Sequence, residues 1–109
     1  MEIMNNFYAL KDVTAPMESE ATVNVKGETL TVQVDGSGDG ISLQLMGCAD
    51  LKSDEYYVIT GFTSDFAMTD TISAKGIYTF PIDGLGRFKF NLSAIGSGSI
   101  TVFCRMTGV

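Results

Sequence analysis

Residues 87–106, RFKFNLSAIGSGSITVFCRM, decide the fold class. Phe88, Phe90 and Leu92 alternate with Arg87, Lys89 and Asn91. After Gly96-Ser97-Gly98 the alternation resumes, with Ile100, Val102, Cys104 and Met106 set against Thr101, Phe103 and Arg105. A period of two places successive side chains on opposite faces of a strand, so both runs read as half-buried strands with the apolar set inward. The small Gly-Ser-Gly between them reads as a hairpin turn that brings Phe90 and Val102 into one core. A catalytic serine in this stretch would need an activating partner, and the chain contains no histidine.

The same period recurs upstream. Ala21, Val23 and Val25 alternate with Thr22, Asn24 and Lys26, and Leu30, Val32 and Val34 with Thr31, Gln33 and Asp35. Both predict half-buried strands, with Gly27-Glu28 closing a short hairpin between them. Ile41, Leu43 and Leu45 repeat the pattern after the turn GSGDG. EYYVITGF predicts a strand at about residues 55–61, and TSDFAMTDT a long loop or short helical turn. GIYTFPIDG sets Tyr78, Phe80 and Ile82 against Ile77, Thr79 and Pro81. Pro81 cannot donate to a ladder, which predicts an edge strand or a bend there. Seven or eight short strands with Gly-containing turns and no helical period predict an all-β fold, an antiparallel β-sandwich of jelly-roll-like type. Residues 1–20 form an N-terminal arm or a first strand with the connector TAPMESE, and residues 21–109 the sandwich domain.

The length of 109 residues, 45% of them hydrophobic and eleven aromatic, fits one domain with one core. No run approaches the roughly 18 apolar residues of a membrane helix, and MEIMNNFYAL lacks the basic start and apolar centre of a secretion signal. The expectation is therefore synthesis in the cytoplasm without membrane insertion. The net charge of −6 divides into −9 over residues 1–74 and +3 over residues 75–109, an asymmetry that can attract one part or one copy to another. So acidic a chain argues against a nucleic-acid partner. Cys48 and Cys104 have no metal-ligand spacing and read as reduced core thiols; a bridge between them would need suitable geometry.

Few residues point to chemistry, and none to a cofactor. Asp50, Asp54, Glu55, Asp65 and Asp70 lie in or beside loops and could supply a glycosidase-like carboxylate pair, although loop aspartates commonly satisfy turns. DGSGDG imitates the first half of a calcium loop at Asp35, Ser37, Asp39 and Gly40, but the twelfth position is Met46 rather than a bidentate Glu. Tyr56, Tyr57, Phe62 and Phe66 border the irregular middle region and could stack on a sugar. Adjacent Tyr56 and Tyr57 must face opposite sides of a strand, which makes Tyr57 a candidate interface residue. Phe103 is the second, because an apolar ring facing away from the core needs another cover, either a subunit contact or residues 1–20.

VNVKGETLTVQVDGSGDGISLQLMG and GIYTFPIDGLGRFKFNLSAIGSGSITVFCRMTG together resemble a small β-sandwich module of tailed-bacteriophage virion proteins, of the head-fibre, decoration or tail and baseplate appendage type. The resemblance spans residues 21–108. It departs at EYYVI, where the related pattern often carries a Trp. It implies a non-enzymatic virion component that assembles with other virion proteins and with itself, a trimer being favoured, and that resides in the virion. The alternative it implies is a carbohydrate-binding module that touches host glycans in adhesion.

Overall fold

The computed structural model describes residues 3–108, and among these every regular element is a strand. Two antiparallel sheets pack face to face, so the chain is an all-β sandwich. One sheet runs in the order β1 (Ile3–Val13), β11 (Ile100–Gly108), β4 (Thr29–Gly36), β9 (Gly76–Pro81), β7 (Gly61–Thr63) and β8 (Met68–Thr69). The other runs β2 (Met17–Glu18), β10 (Arg87–Ala94), β5 (Ser42–Cys48) and β6 (Tyr57–Val58), with β3 (Thr22–Val23) beside β10. Eleven strands replace the seven or eight expected, because several are two- or three-residue pieces too short to leave a periodic trace.

The alternation correctly gives the core. Leu30, Val32, Val34, Phe80, Val102 and Cys104 enter it from the six-stranded sheet, and Leu43, Leu45, Phe88, Phe90 and Leu92 from the other, all buried. Fully burying one such side chain contributes about 1.5–3 kcal/mol. Phe7 on β1 reaches across to Phe88 with ring centroids 6.3 Å apart.

The connections differ from expectation. Gly96-Ser97-Gly98 is not a hairpin turn, since β10 and β11 lie in opposite sheets. Gly27-Glu28 and the turn of DGSGDG likewise carry the chain from one sheet to the other, between β3 and β4 and between β4 and β5. A short Gly-containing link serves a hairpin or a sheet-crossing arch equally well, and both leave the flanking apolar sets facing one core. Phe90 and Val102 do share that core, but from opposing sheets.

Two of these arches lock together. Gly38 N donates to Ser99 O at 2.8 Å, Asp39 N to Ser97 O at 3.1 Å and Gly96 N to Asp39 O at 2.8 Å. Asp39 Oδ1 accepts from Ser97 N at 2.9 Å and from Ser97 Oγ at 2.8 Å. Gly98 has φ +77°, and a Cβ there would lie 2.7 Å from Ser37 O, so the clasp requires glycine at this position.

Four further expectations are corrected. Val23 and Val25 point outward while Thr22 and Asn24 turn inward, because the Asn24 side chain is needed to close the adjoining loops. EYYVITGF splits between β6 and β7, which belong to different sheets. TSDFAMTDT includes a tight hairpin between β7 and β8, whose turn is held by Thr63 O and Oγ1 accepting from Phe66 N and Ala67 N. Pro81 ends β9, which is a central strand rather than an edge: it pairs with β4 on one side and β7 on the other. From residues 1–20 the chain contributes β1, paired along β11, and β2, paired with β10.

Candidate interface

The outer face of the six-stranded sheet is built from the residues that alternate with its core set. Direct cross-strand partners share a face, so the register sets Tyr8 of β1 beside Phe103 of β11, Phe103 beside Gln33 of β4, and Gln33 beside Ile77 of β9. One row over, Arg105, Thr31, Thr79, Phe62 and Met68 follow one another across the sheet. Tyr8 and Phe103 meet edge to face at 5.1 Å between centroids, and Lys11 Nζ lies 5.0 Å from the Tyr8 ring. Tyr8 thus covers part of Phe103, yet remains 55% exposed, and Ile77 is 49% exposed. Phe62 and Met68 extend the apolar surface to the β7–β8 edge, and the turn beyond them presents Phe66, 86% exposed, in a left-handed backbone conformation at φ 67°.

Tyr57 does not join this surface. It sits on β6, at an edge of the other sheet, 66% exposed and donating its hydroxyl to Glu55 at 3.3 Å. Tyr56 instead lies under two cations, with Lys89 Nζ 4.4 Å and the Arg87 guanidinium carbon 5.6 Å from its ring centroid. Lys89 also pairs with Glu18 at 3.3 Å, and Arg87 donates to Ser53 O. That face is therefore occupied by its own charges.

Three of the five candidate carboxylates, Asp50, Asp65 and Asp70, are engaged locally. Asp50 accepts from Lys52 N at 2.8 Å, Asp65 accepts from the Thr63 hydroxyl, and Asp70 accepts from the Thr71 hydroxyl at 3.2 Å, each within its own turn. Asp39 serves the arch clasp. Among the described residues no group of three or more His, Cys, Asp or Glu is placed to hold a metal ion. Cys48 and Cys104 are both free and buried; burial pushes the Cys104 thiol up to about 12. A cleft of about 520 Å³ opens between β1 and the β2–β3 segment, where Phe7, Ala9, Met17 and Ser19 line it together with Glu18 and Glu20; the Ser19 hydroxyl there donates to Glu20 O at 3.2 Å and accepts from Phe90 N at 2.9 Å.

The residues missed from sequence on the outer face are Tyr8, Ile77 and Met68. Ile77 carries the clearest signal, since it alternates with the buried Tyr78 and Phe80. Tyr8 becomes visible only once β1 is registered against β11.

No family model matches the chain, and no curated protein matches it. Two solved structures share its fold. The SPBc2 prophage-derived protein YomS superposes with a TM-score of 0.89 at 23% identity, over 99% of this chain and 96% of that one. The PBSX exported protein XepA superposes with a TM-score of 0.88 at 18% identity, over 98% of this chain but 38% of that one. The sandwich thus makes up nearly all of one prophage protein and a little over a third of a second.

Proposed function

We propose that this chain is a non-enzymatic structural protein of a bacteriophage or prophage, assembled into a particle through protein contacts made by the outer face of its six-stranded sheet. The likeness to the SPBc2 prophage-derived protein YomS across almost the full length of both chains carries the reading. The row of exposed Tyr8, half-buried Phe103 and exposed Ile77 supplies the contact surface. Asp50, Asp65 and Asp70 each accept a hydrogen bond within their own turn.

The test is mass spectrometry of particles purified from a strain that carries this gene, with the abundance of the chain measured against the major shell protein. A fixed ratio through successive density gradients is expected. Absence of the chain from washed particles, or its recovery in proportion to contaminating host proteins, would overturn the reading.

A further inference from the structure

We infer that Phe66, at the tip of the β7–β8 hairpin, is an anchor whose ring enters an apolar pocket edged by Lys or Arg on a different protein. This goes beyond the assembly reading by naming the chemistry of a partner, and rests on that reading only in where the partner is sought.

The local conformation singles the residue out. Thr63 N donates to Ala67 O at 2.8 Å and Phe66 N to Thr63 O at 3.0 Å, so Ser64, Asp65 and Phe66 form a three-residue hairpin loop. Such a loop is a type I turn closed by one residue in the left-handed region, a position that suits glycine or asparagine. Phe66 occupies it at φ 67°. A bulky side chain there is a backbone outlier, and burial does not compensate, because the residue is 86% exposed and stands outside the core. Glycine would relieve the backbone and remove an apolar ring from water. Phe66 is thus unfavourable to the isolated chain on both counts, which points to a contact made outside the chain.

The ring is also held rigidly. Ala67 N donates to Thr63 Oγ1 at 3.1 Å, and that hydroxyl donates in turn to Asp65. Together with the two main-chain bonds these fix the turn on both sides of Phe66. A ring carried on a fixed turn loses little freedom when it docks, so more of its burial appears as affinity. Phe62 and Met68, cross-strand partners on the same hairpin, are exposed as well.

Charge selects the partner. Asp65 at the tip and Asp70 at the base are exposed carboxylates, which accept from the Thr63 and Thr71 hydroxyls. Over residues 61–75 they stand against one cation, Lys75. A pocket that takes the ring meets Asp65 at its rim, where Lys or Arg is the complementary group. A second copy fits poorly. Its apolar cleft, lined by Phe7 and Met17, carries Glu18 and Glu20, while Lys89 is already paired with Glu18 and Lys11 lies against the Tyr8 ring. An anionic lipid surface repels the same carboxylates, and segments that seek such surfaces are basic.

The test is photo-crosslinking of the full chain in a phage-producing strain that carries this gene, with Phe66→p-benzoylphenylalanine as the probe. Val25→p-benzoylphenylalanine, at a site 81% exposed, is the control. Irradiation is expected to join position 66, and not position 25, to one other particle protein, at a peptide in which apolar residues adjoin Lys or Arg. Phe66→Gly is expected to unfold at the same or a higher urea concentration than the wild type, yet to lose association with that protein roughly tenfold or more, as loss of an anchor does. A ring with a merely structural role would lower the midpoint instead. Asp65→Lys should weaken association similarly, and exchanging the rim cation of the captured protein for Glu should restore it; Asp70→Lys gives the same reading if Asp65→Lys fails to fold. Products with a second copy or lipid alone, no product at position 66, a midpoint lowered by Phe66→Gly, or a charge exchange that rescues nothing each overturn the inference. So does Phe66-dependent co-sedimentation with vesicles of phosphatidylcholine and phosphatidylglycerol. A chain absent from washed particles that still joins one basic-edged protein would leave the contact standing and end the structural reading; equal particle content of wild type and Phe66→Gly would do the reverse.

Discussion

Asn24 sits between two outward valines and turns into the molecule, where its side chain closes three separate connections. Its Nδ2 donates to Ile82 O at 2.9 Å, Leu85 O at 3.1 Å and Gly27 O at 3.2 Å, while its Oδ1 accepts from Gly27 N at 2.7 Å. Leaving part-buried carbonyls without donors costs about 1–3 kcal/mol, so Asn24→Ala should lower the urea midpoint by that equivalent. Asn24→Asp should cost at least as much despite its matching shape, because it aims a carboxylate at three carbonyl oxygens; an unchanged midpoint would contradict the assignment. Cys104 gives a second prediction. Burial raises its thiol from 9.0 to about 12, so the unfolded chain loses this proton first as pH rises. Its contribution to stability is complete below about pH 9 and is lost progressively towards pH 12, at about 1.4 kcal/mol per pH unit. Tyr78, whose hydroxyl is also raised by burial, adds to the alkaline loss. Cys104→Val should flatten the slope of unfolding free energy between pH 9 and 10; an identical slope would exclude the thiol as its source.

At the scale of elements, the arches carry the architecture. The Asp39 carboxylate joins the β4–β5 arch to the β10–β11 arch through Ser97, so Asp39→Ala should destabilise the sandwich by about 0.5–2 kcal/mol and Asp39→Asn by less, because the amide keeps an acceptor. Equal midpoints for wild type and Asp39→Ala in urea would show that the clasp is dispensable. The strands themselves were legible: period-two alternation identified β4, β5, β9, β10 and β11 and, for all but β9, the side that is buried. Their partners were not. A turn such as Gly96-Ser97-Gly98 is written in the same residues whether it returns the chain beside the preceding strand or over it, and only long-range pairing distinguishes the two. The alternation of Ala21, Val23 and Val25 misled for a different reason: the hydrogen bonds of one polar residue, Asn24, outweigh the burial of two valines at the sandwich margin.

At the scale of the whole molecule, the candidate interface was half legible. Phe103 was visible as a ring on the polar side of an alternating strand. Its neighbours Tyr8, Gln33 and Ile77 come from three other strands, separated from it by up to 95 positions, and only the sheet order β1-β11-β4-β9 brings them into one row. Tyr57, equally aromatic and more exposed than Tyr8, falls on the other sheet. The two faces of the sandwich thereby acquire different characters. One is occupied by the Arg87, Lys89, Glu18 and Tyr56 cluster; the other carries Tyr8, Phe103, Gln33 and Ile77 in one row, with Lys11 against the Tyr8 ring. The most direct measurement is the incorporation of tagged wild-type and Phe103→Asp chains into particles of a phage-producing strain, read by quantitative mass spectrometry after gradient purification. The account predicts the wild type at a fixed ratio to the shell protein and the folded variant reduced at least tenfold; equal incorporation of the two, or of neither, would contradict it.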